Sequence, residues 1–160
     1  MEANPEVLTE YGRELGMRGD CQFVDLVSLE KGVLTAVYGE NFAEVVGAIL
    51  VVAPVDFLDN AARQLITYSE PCVFIKQTID NACGAIAILH ALSNNQGILE
   101  PSSIVRSMNI FTHDPIARGS WVEYNERLAL VHAKYSRLGD TVTPNVEQDT
   151  GTKIMVCSPV

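Results

Sequence analysis

The chain has 160 residues, of which 48% are hydrophobic and 19% charged, and its 11 basic and 20 acidic side chains give a net charge of −9. This composition is too apolar for a disordered chain, and we expect a single domain with a buried core over residues 1–160. The acidic balance argues against binding to nucleic acid or to an anionic membrane, and it favours a basic partner or none.

The start of the chain lacks the basic and apolar regions of a signal peptide, and the longest apolar run, residues 45–55, is too short to cross a bilayer. The four cysteines show neither a CxxC pair nor the spacing of zinc ligands; they are Cys21, Cys72, Cys83 and Cys157. We therefore expect reduced thiols, no metal and a cytoplasmic protein.

Helix and strand signals can be followed along the first half of the chain. Asn4 and Pro5 are typical of a helix start, with asparagine as the cap and proline in the first turn, and Gly16 is typical of a helix end. Further on, the pattern predicts a strand over 22–26, a short helix over 29–37, a buried strand over 47–55 and a surface helix or loop over 57–68.

The second half is predicted to be largely helical. In chain order we expect an extended stretch over 72–75, a buried central helix over 83–92, a helix over 102–108, a helix over 121–137, an exposed loop over 136–152 and the start of a strand over 154–157. The helix over 121–137 is predicted from one apolar stripe, formed by Trp121, Tyr124, Leu128, Val131 and Tyr135.

Cys83 is the candidate nucleophile of this chain. It lies at the start of the alanine-rich helix, where the positive end of the helix dipole favours the thiolate. Gln77 lies six residues earlier and can aim its amide at the oxygen that becomes negative during acyl transfer. The backbone N–H of Cys83 can be a second donor, and Gly84 leaves room for a substrate. The alternative is that Cys83 is a small buried residue of the core.

The segment around Cys83 closely resembles the active-site segment of the ubiquitin carboxyl-terminal hydrolases, the small papain-like deubiquitinases. The run that carries the resemblance is FIKQTIDNACGAIAILHALSNN, residues 74–95, and residues 2–7 and 22–25 are similar to the N-terminal region of that family. The resemblance implies that Cys83 is the nucleophile and that Gln77 completes the oxyanion hole.

The resemblance also implies a fold and a reaction. We expect an α/β, papain-like cysteine-protease fold in which helices flank an antiparallel sheet, incomplete at its C-terminus. The implied enzyme is a thiol-dependent hydrolase that removes small adducts from the C-terminal glycine of ubiquitin. It is expected to act as a monomer, without a cofactor, and with ubiquitin or a ubiquitin-like protein as its partner.

The general base of the family is not found at its expected position. In the family it is a histidine that follows a crossover loop, which corresponds here to residues 136–152, and Lys153 stands near the expected position. We therefore expect a chain truncated before the catalytic histidine, with the C-terminal part of the domain missing. This leaves two alternatives open: a catalytically deficient ubiquitin-binding fragment, and a domain whose cysteine is only structural.

The three histidines of the chain do not replace that base. His90 lies seven residues along the helix from Cys83, about 10 Å at the rise of an α-helix, so a packing or capping role is expected. His132 is predicted to pack beside the apolar stripe of its helix, and His113 to lie in a turn. Lys153 is a poor base while it is protonated.

Overall fold

The computed structural model describes residues 4–26, 28, 30–39, 72–80, 82–135 and 138, together with the backbone of a strand over 155–159. The elements in chain order are α1 (Pro5–Glu14), β1 (Cys21–Asp25), α2 (Lys31–Tyr38), α3 (Cys83–Asn94), a 3₁₀ turn (Gln96–Ile98), α4 (Ile104–Phe111), α5 (Pro115–Glu123), α6 (Glu126–Tyr135) and β2 (Met155–Pro159). The predicted strand over 47–55, the element over 57–68, Lys153 and all of the loop over 136–152 except Leu138 lie outside the described residues.

Helix α1 begins and ends where the sequence predicts. The Asn4 side chain accepts hydrogen bonds from the backbone N–H groups of Glu6 and Val7, and Pro5 occupies the first helical position. Gly16 follows the helix with φ 96°, and a Cβ atom there would lie 2.6 Å from the Cα of Ser103. Only glycine therefore satisfies both the backbone conformation and the close approach to the start of α4.

Strands β1 and β2 form an antiparallel pair in which Phe23 lies opposite Cys157. The predicted strand over 22–26 is confirmed with a shift of one residue, and the apolar residues near the end of the chain form the second strand. The buried Thr9 hydroxyl of α1 accepts a hydrogen bond from the backbone N–H of Phe23 at 2.8 Å. This bond fixes the first helix against the sheet.

The prediction of one helix over 121–137 is wrong. Helix α5 ends at Glu123, and α6 starts after Asn125, whose side-chain oxygen accepts a hydrogen bond from the N–H of Leu128 at 3.1 Å. Asparagine competes with the helical backbone in this way and so favours helix starts. Tyr124 is 79% exposed at the break, so it does not belong to the buried face that was predicted for it.

Helix α3 is the central helix of the described core, as the sequence predicts. Its buried residues are Ala85, Ile86, Ile88, Leu89, Leu92 and Ser93. Tyr11 of α1 and Tyr135 of α6 lie in the same core and pack edge to face, with their ring centroids 5.7 Å apart. Helix α3 is therefore packed in the core along its length, whereas its first residue, Cys83, is exposed.

The three remaining helix predictions among the described residues agree with the structure to within a few residues. The helices expected over 29–37, 83–92 and 102–108 are found at Lys31–Tyr38, Cys83–Asn94 and Ile104–Phe111. The stretch expected to be extended over 72–75 belongs to no helix or strand. Among the described helices, none has the length and apolar character that crossing a membrane requires.

Candidate active site

Cys83 is the first residue of α3, and its side chain is exposed. At the starts of α1, α4, α5 and α6, a side chain accepts a hydrogen bond from a backbone N–H of the first turn. The accepting residues are Asn4, Ser103, Asp114 and Asn125, respectively. The residue before Cys83 is Ala82, which has no side-chain acceptor. The N–H groups of the first turn of α3 are therefore not capped by Ala82, and they can stabilise negative charge beside the thiol.

Gln77 is also exposed, and it lies in the irregular segment that precedes α3. Its side-chain nitrogen donates a hydrogen bond to the carbonyl oxygen of Ile79 at 2.9 Å. A primary amide carries two hydrogens on its nitrogen, so this bond uses only one of the two donors. The second donor matches the chemistry that an oxyanion requires, although the roles of Gln77 and Cys83 remain predictions.

Two side chains of α3 hold the segment that carries Gln77, which we call the glutamine segment (residues 73–78). The Asn94 side chain accepts a hydrogen bond from the N–H of Val73 at 2.7 Å and donates one to the carbonyl oxygen of Val73 at 2.9 Å. One helical turn earlier, His90 Nε2 accepts from the N–H of Ile75 at 2.8 Å. The sequence does not predict this role for Asn94, because an asparagine at a helix end usually indicates only where the helix stops.

His90 has the packing role that the sequence predicts. Its ring is stacked on Phe74, with the centroids 5.1 Å apart and an angle of 20° between the planes. A backbone N–H can only donate, so Nε2 must accept from Ile75 and the ring proton of the neutral form lies on Nδ1. Burial lowers the pKa of His90 below its usual range, although the Ile75 carbonyl oxygen opposes the shift. His90 is therefore neutral at pH 7.

The other two histidines differ from His90 in their surroundings. His113 is exposed in the turn before α5. His132 is half-buried on α6 and, together with Ile79 and Ala82, lines an apolar cavity of about 290 Å³. Burial lowers the pKa of His132, and its Nδ1 is buried with no hydrogen-bond partner among the described residues.

The three described cysteines are free, but their surroundings differ. Cys72 and Cys83 are exposed, whereas Cys21 is buried in the core, where burial raises its pKa. Within the ranges that the structure covers, no three side chains of His, Cys, Asp or Glu are grouped so that they could hold a metal ion. Cys83 offers an exposed thiol, and Gln77 offers a side-chain hydrogen-bond donor.

The fold is similar to that of solved papain-like deubiquitinases. The crystal structure of the UCH37 catalytic domain from Trichinella spiralis, bound to ubiquitin vinyl methyl ester, matches with a TM-score of 0.71 and 16% sequence identity, over 100% of this chain and 94% of that chain. A second crystal structure of Trichinella spiralis UCH37 with the same ligand matches with a TM-score of 0.66 and 15% identity, over 100% and 81% of the two chains. The chain therefore has the α/β, papain-like cysteine-protease fold that the sequence predicts.

Sequence comparison identifies the family within this class. The family model for ubiquitin carboxyl-terminal hydrolase, family 1, matches residues 1–152. The ubiquitin carboxyl-terminal hydrolase of Aplysia californica is 30% identical over 158 residues, which are 92% of this chain and 70% of that protein. The chain belongs to the ubiquitin carboxyl-terminal hydrolase family, as the segment around Cys83 predicts.

Two further relatives show how much of a family member the chain spans. Ubiquitin carboxyl-terminal hydrolase YUH1 of Saccharomyces cerevisiae is 38% identical over 104 residues, which are 64% of this chain and 42% of that protein. Isozyme L1 of Homo sapiens is 32% identical over 145 residues, which are 87% of this chain and 65% of that protein. The chain thus spans between about two fifths and seven tenths of the length of these relatives.

Proposed function

We propose that this protein is a thiol-dependent hydrolase that cleaves small adducts from the C-terminal glycine of ubiquitin. The observation that carries the proposal is the position of Cys83, an exposed thiol at the uncapped start of the buried helix α3, in a chain of the ubiquitin carboxyl-terminal hydrolase family. A helix start without a capping side chain leaves backbone N–H donors for a substrate oxygen.

The proposed reaction is acyl transfer through Cys83. The thiolate attacks the carbonyl carbon of the C-terminal glycine, and the carbonyl oxygen becomes negative. The side-chain N–H of Gln77 and the backbone N–H of Cys83 donate to that oxygen. The bond to the leaving group then breaks, the leaving group departs with a proton, and a thioester remains. Water cleaves the thioester to give the ubiquitin carboxylate and the free thiol.

Charge and thiol chemistry support the proposed partner and location. A net charge of −9 is complementary to the basic face and the arginine-bearing tail of ubiquitin, and such complementarity speeds association. The three described cysteines are free, which accords with a reducing compartment such as the cytoplasm. The proposed enzyme is a monomer and requires no cofactor.

The proposal assigns the role of base to none of the described histidines. His90 accepts from Ile75, and His132 lies on the cavity side of α6. His113 lies in the exposed turn between α4 and α5. In the sequence, Lys153 stands near the position of the family's base, so thioester formation and turnover have to be measured separately.

A fluorogenic ubiquitin amide tests turnover. We expect the wild-type chain to release the fluorophore, the Cys83→Ala variant to release none, and Gln77→Ala to be slower by roughly 100-fold, as for the loss of one oxyanion donor. Cys72→Ala is the matched control, because Cys72 is also exposed, and it should keep the wild-type rate. Release that persists in Cys83→Ala would contradict the proposal. Tight non-covalent binding of the ubiquitin amide without release would instead support the ubiquitin-binding alternative.

A further inference from the structure

The glutamine segment is hydrogen-bonded along both edges, in the alternating pattern of a β-strand. Val73 and Ile75 bond to the side chains of Asn94 and His90 on α3. The residues between them bond to the other side: the carbonyl oxygen of Phe74 accepts from Arg118 Nη1 at 3.2 Å, and the N–H of Lys76 donates to the carbonyl oxygen of Pro115 at 3.0 Å. Alternate residues of a strand pair with opposite neighbours in the same way, but here both neighbours are helices.

Gly119 allows helix α5 to lie against the glutamine segment. A Cβ atom at this buried position would lie 2.3 Å from the carbonyl oxygen of Lys76 and 3.2 Å from Cγ2 of Thr78. The hydroxyl of Thr78 also donates to the carbonyl oxygen of Gly119 at 3.3 Å. Lys76 and Thr78 are the two neighbours of Gln77, so α5 contacts the chain immediately before and immediately after the glutamine.

Arg118 adds a buried charge to the same contact. Arg118 is only 5% exposed, and its Nη1 donates a hydrogen bond to the carbonyl oxygen of Phe74. A charged donor makes a stronger hydrogen bond than a neutral one, and burial strengthens it further. The side chain of Gln77 itself is exposed and has one hydrogen bond, to Ile79, among the described residues. Its direction therefore depends on how firmly the backbone of the segment is held.

We propose that Gly119, together with Arg118, Asn94 and His90, positions Gln77 for the oxyanion, and that these four are positioning residues of the reaction. The inference rests on the proposed function, because it assigns Gln77 the role of an oxyanion donor. An added methyl group at Gly119 must push α5 and the Lys76 carbonyl oxygen apart by several tenths of an ångström or more. A displacement of about 1 Å at a catalytic group costs roughly 100-fold in rate.

A double-mutant cycle tests the proposal. Release of the fluorophore from a fluorogenic ubiquitin amide, a reaction that does form the oxyanion, is followed in wild type, Gly119→Ala, Gln77→Ala and the double variant, and the rate at saturating substrate is separated from the half-saturating substrate concentration. We expect Gly119→Ala to lower the saturating rate by roughly 10- to 100-fold and to change the half-saturating concentration by less than about 2-fold. In the Gln77→Ala background, Gly119→Ala should have little further effect.

Two controls separate positioning from general damage. Gly97→Ala is the matched glycine variant, since a Cβ atom there meets nothing within 4 Å, and it should react like wild type. The rate of Cys83 with iodoacetamide, which forms no oxyanion, should be unchanged in Gly119→Ala. If Gly119→Ala does not fold, Asn94→Ala takes its place in the cycle, because Asn94 is exposed and holds the opposite edge of the segment.

The proposal is overturned if Gly119→Ala reacts at the wild-type rate, or if its effect is undiminished in the Gln77→Ala background. If wild type releases no fluorophore, the proposed function fails, and hydrogen exchange of peptides over residues 72–80 decides the inference separately. Exchange faster than wild type in Gly119→Ala, with α3 unchanged, would show that Gly119 holds the segment. Equal exchange would refute the inference.

Discussion

The three described cysteines illustrate how burial separates a reactive thiol from a structural one. Cys83 is exposed at a helix start, Cys72 is exposed in an irregular segment, and Cys21 is 3% exposed in the core. Burial raises the pKa of Cys21, which lowers its thiolate fraction at neutral pH. Cys83 differs from Cys72 because it is the first residue of a helix.

We predict that iodoacetamide modifies Cys83 and Cys72 at least about 10-fold faster than Cys21 in the native chain. The reason is that attack requires an accessible thiolate, and Cys21 lacks both the access and the ionisation. Peptide mapping by mass spectrometry over a time course gives the three rates. In denaturant the difference should disappear, and equal rates in the native chain would contradict the structure.

The sequence predicts local residue roles well where the signal and the structure lie within one helical turn. Asn4 and Pro5 start α1, and Cys83 starts α3, because capping and the helix dipole act on neighbouring residues. The sequence does not predict a role for Gly119. A side chain at this position would collide with the carbonyl oxygen of Lys76, which lies more than 40 residues earlier in the chain. No local pattern reports such a contact.

At the level of elements, the break between α5 and α6 shows that a cap can outweigh an apolar stripe. The spacing of Trp121, Leu128 and Tyr135 fits a single helix, yet Asn125 starts a new one and Tyr124 is exposed. Helical periodicity reports which residues face the core, but it does not report whether the backbone between them is continuous.

We predict that Asn125→Ala lowers the free energy of unfolding by about 1 kcal/mol, the usual cost of losing a helix cap. The affected bond is the one that the Leu128 N–H donates to Asn125. Tyr124→Ser is the matched control, and it should change stability by less than about 0.5 kcal/mol because Tyr124 is exposed. Urea unfolding measures both variants. A larger loss for Tyr124→Ser than for Asn125→Ala would favour one continuous helix.

We also predict that His90 makes the folded state sensitive to acid. Its pKa is lowered in the folded state, so between that pKa and its ordinary value of about 6.5 the unfolded chain binds more protons. Stability is therefore fully present above about pH 6.5 and is lost as the pH falls through the window below it. Protonation of Nε2 also removes the acceptor for the Ile75 N–H.

The variant His90→Gln isolates this effect. A glutamine oxygen can accept from Ile75 at every pH, and His132, whose pKa is also lowered, is present in both proteins. Urea unfolding at pH values from 7.5 to 5 should show wild type losing more stability than His90→Gln as the pH falls. Parallel curves for the two proteins would show that His90 does not titrate as the structure requires.

At the level of the whole molecule, the family and the fold class could be predicted from one segment, and the packing could not. The run over residues 74–95 is specific enough to identify the ubiquitin carboxyl-terminal hydrolases, and the family model and the fold comparison agree. The pairing of β1 with β2 joins residues that are far apart in the chain, such as Cys21 and Pro159. Such register depends on the packed core, which periodicity along the chain does not report.

The central claim is that Cys83 is a nucleophile directed at the C-terminus of ubiquitin. Peptide mapping of the product formed with ubiquitin vinyl methyl ester tests it most directly. We expect a single covalent adduct on Cys83 that is absent in Cys83→Ala and formed at the wild-type rate by Cys72→Ala. An adduct on another cysteine, or no adduct in a folded chain whose Cys83 still reacts with iodoacetamide, would contradict the claim.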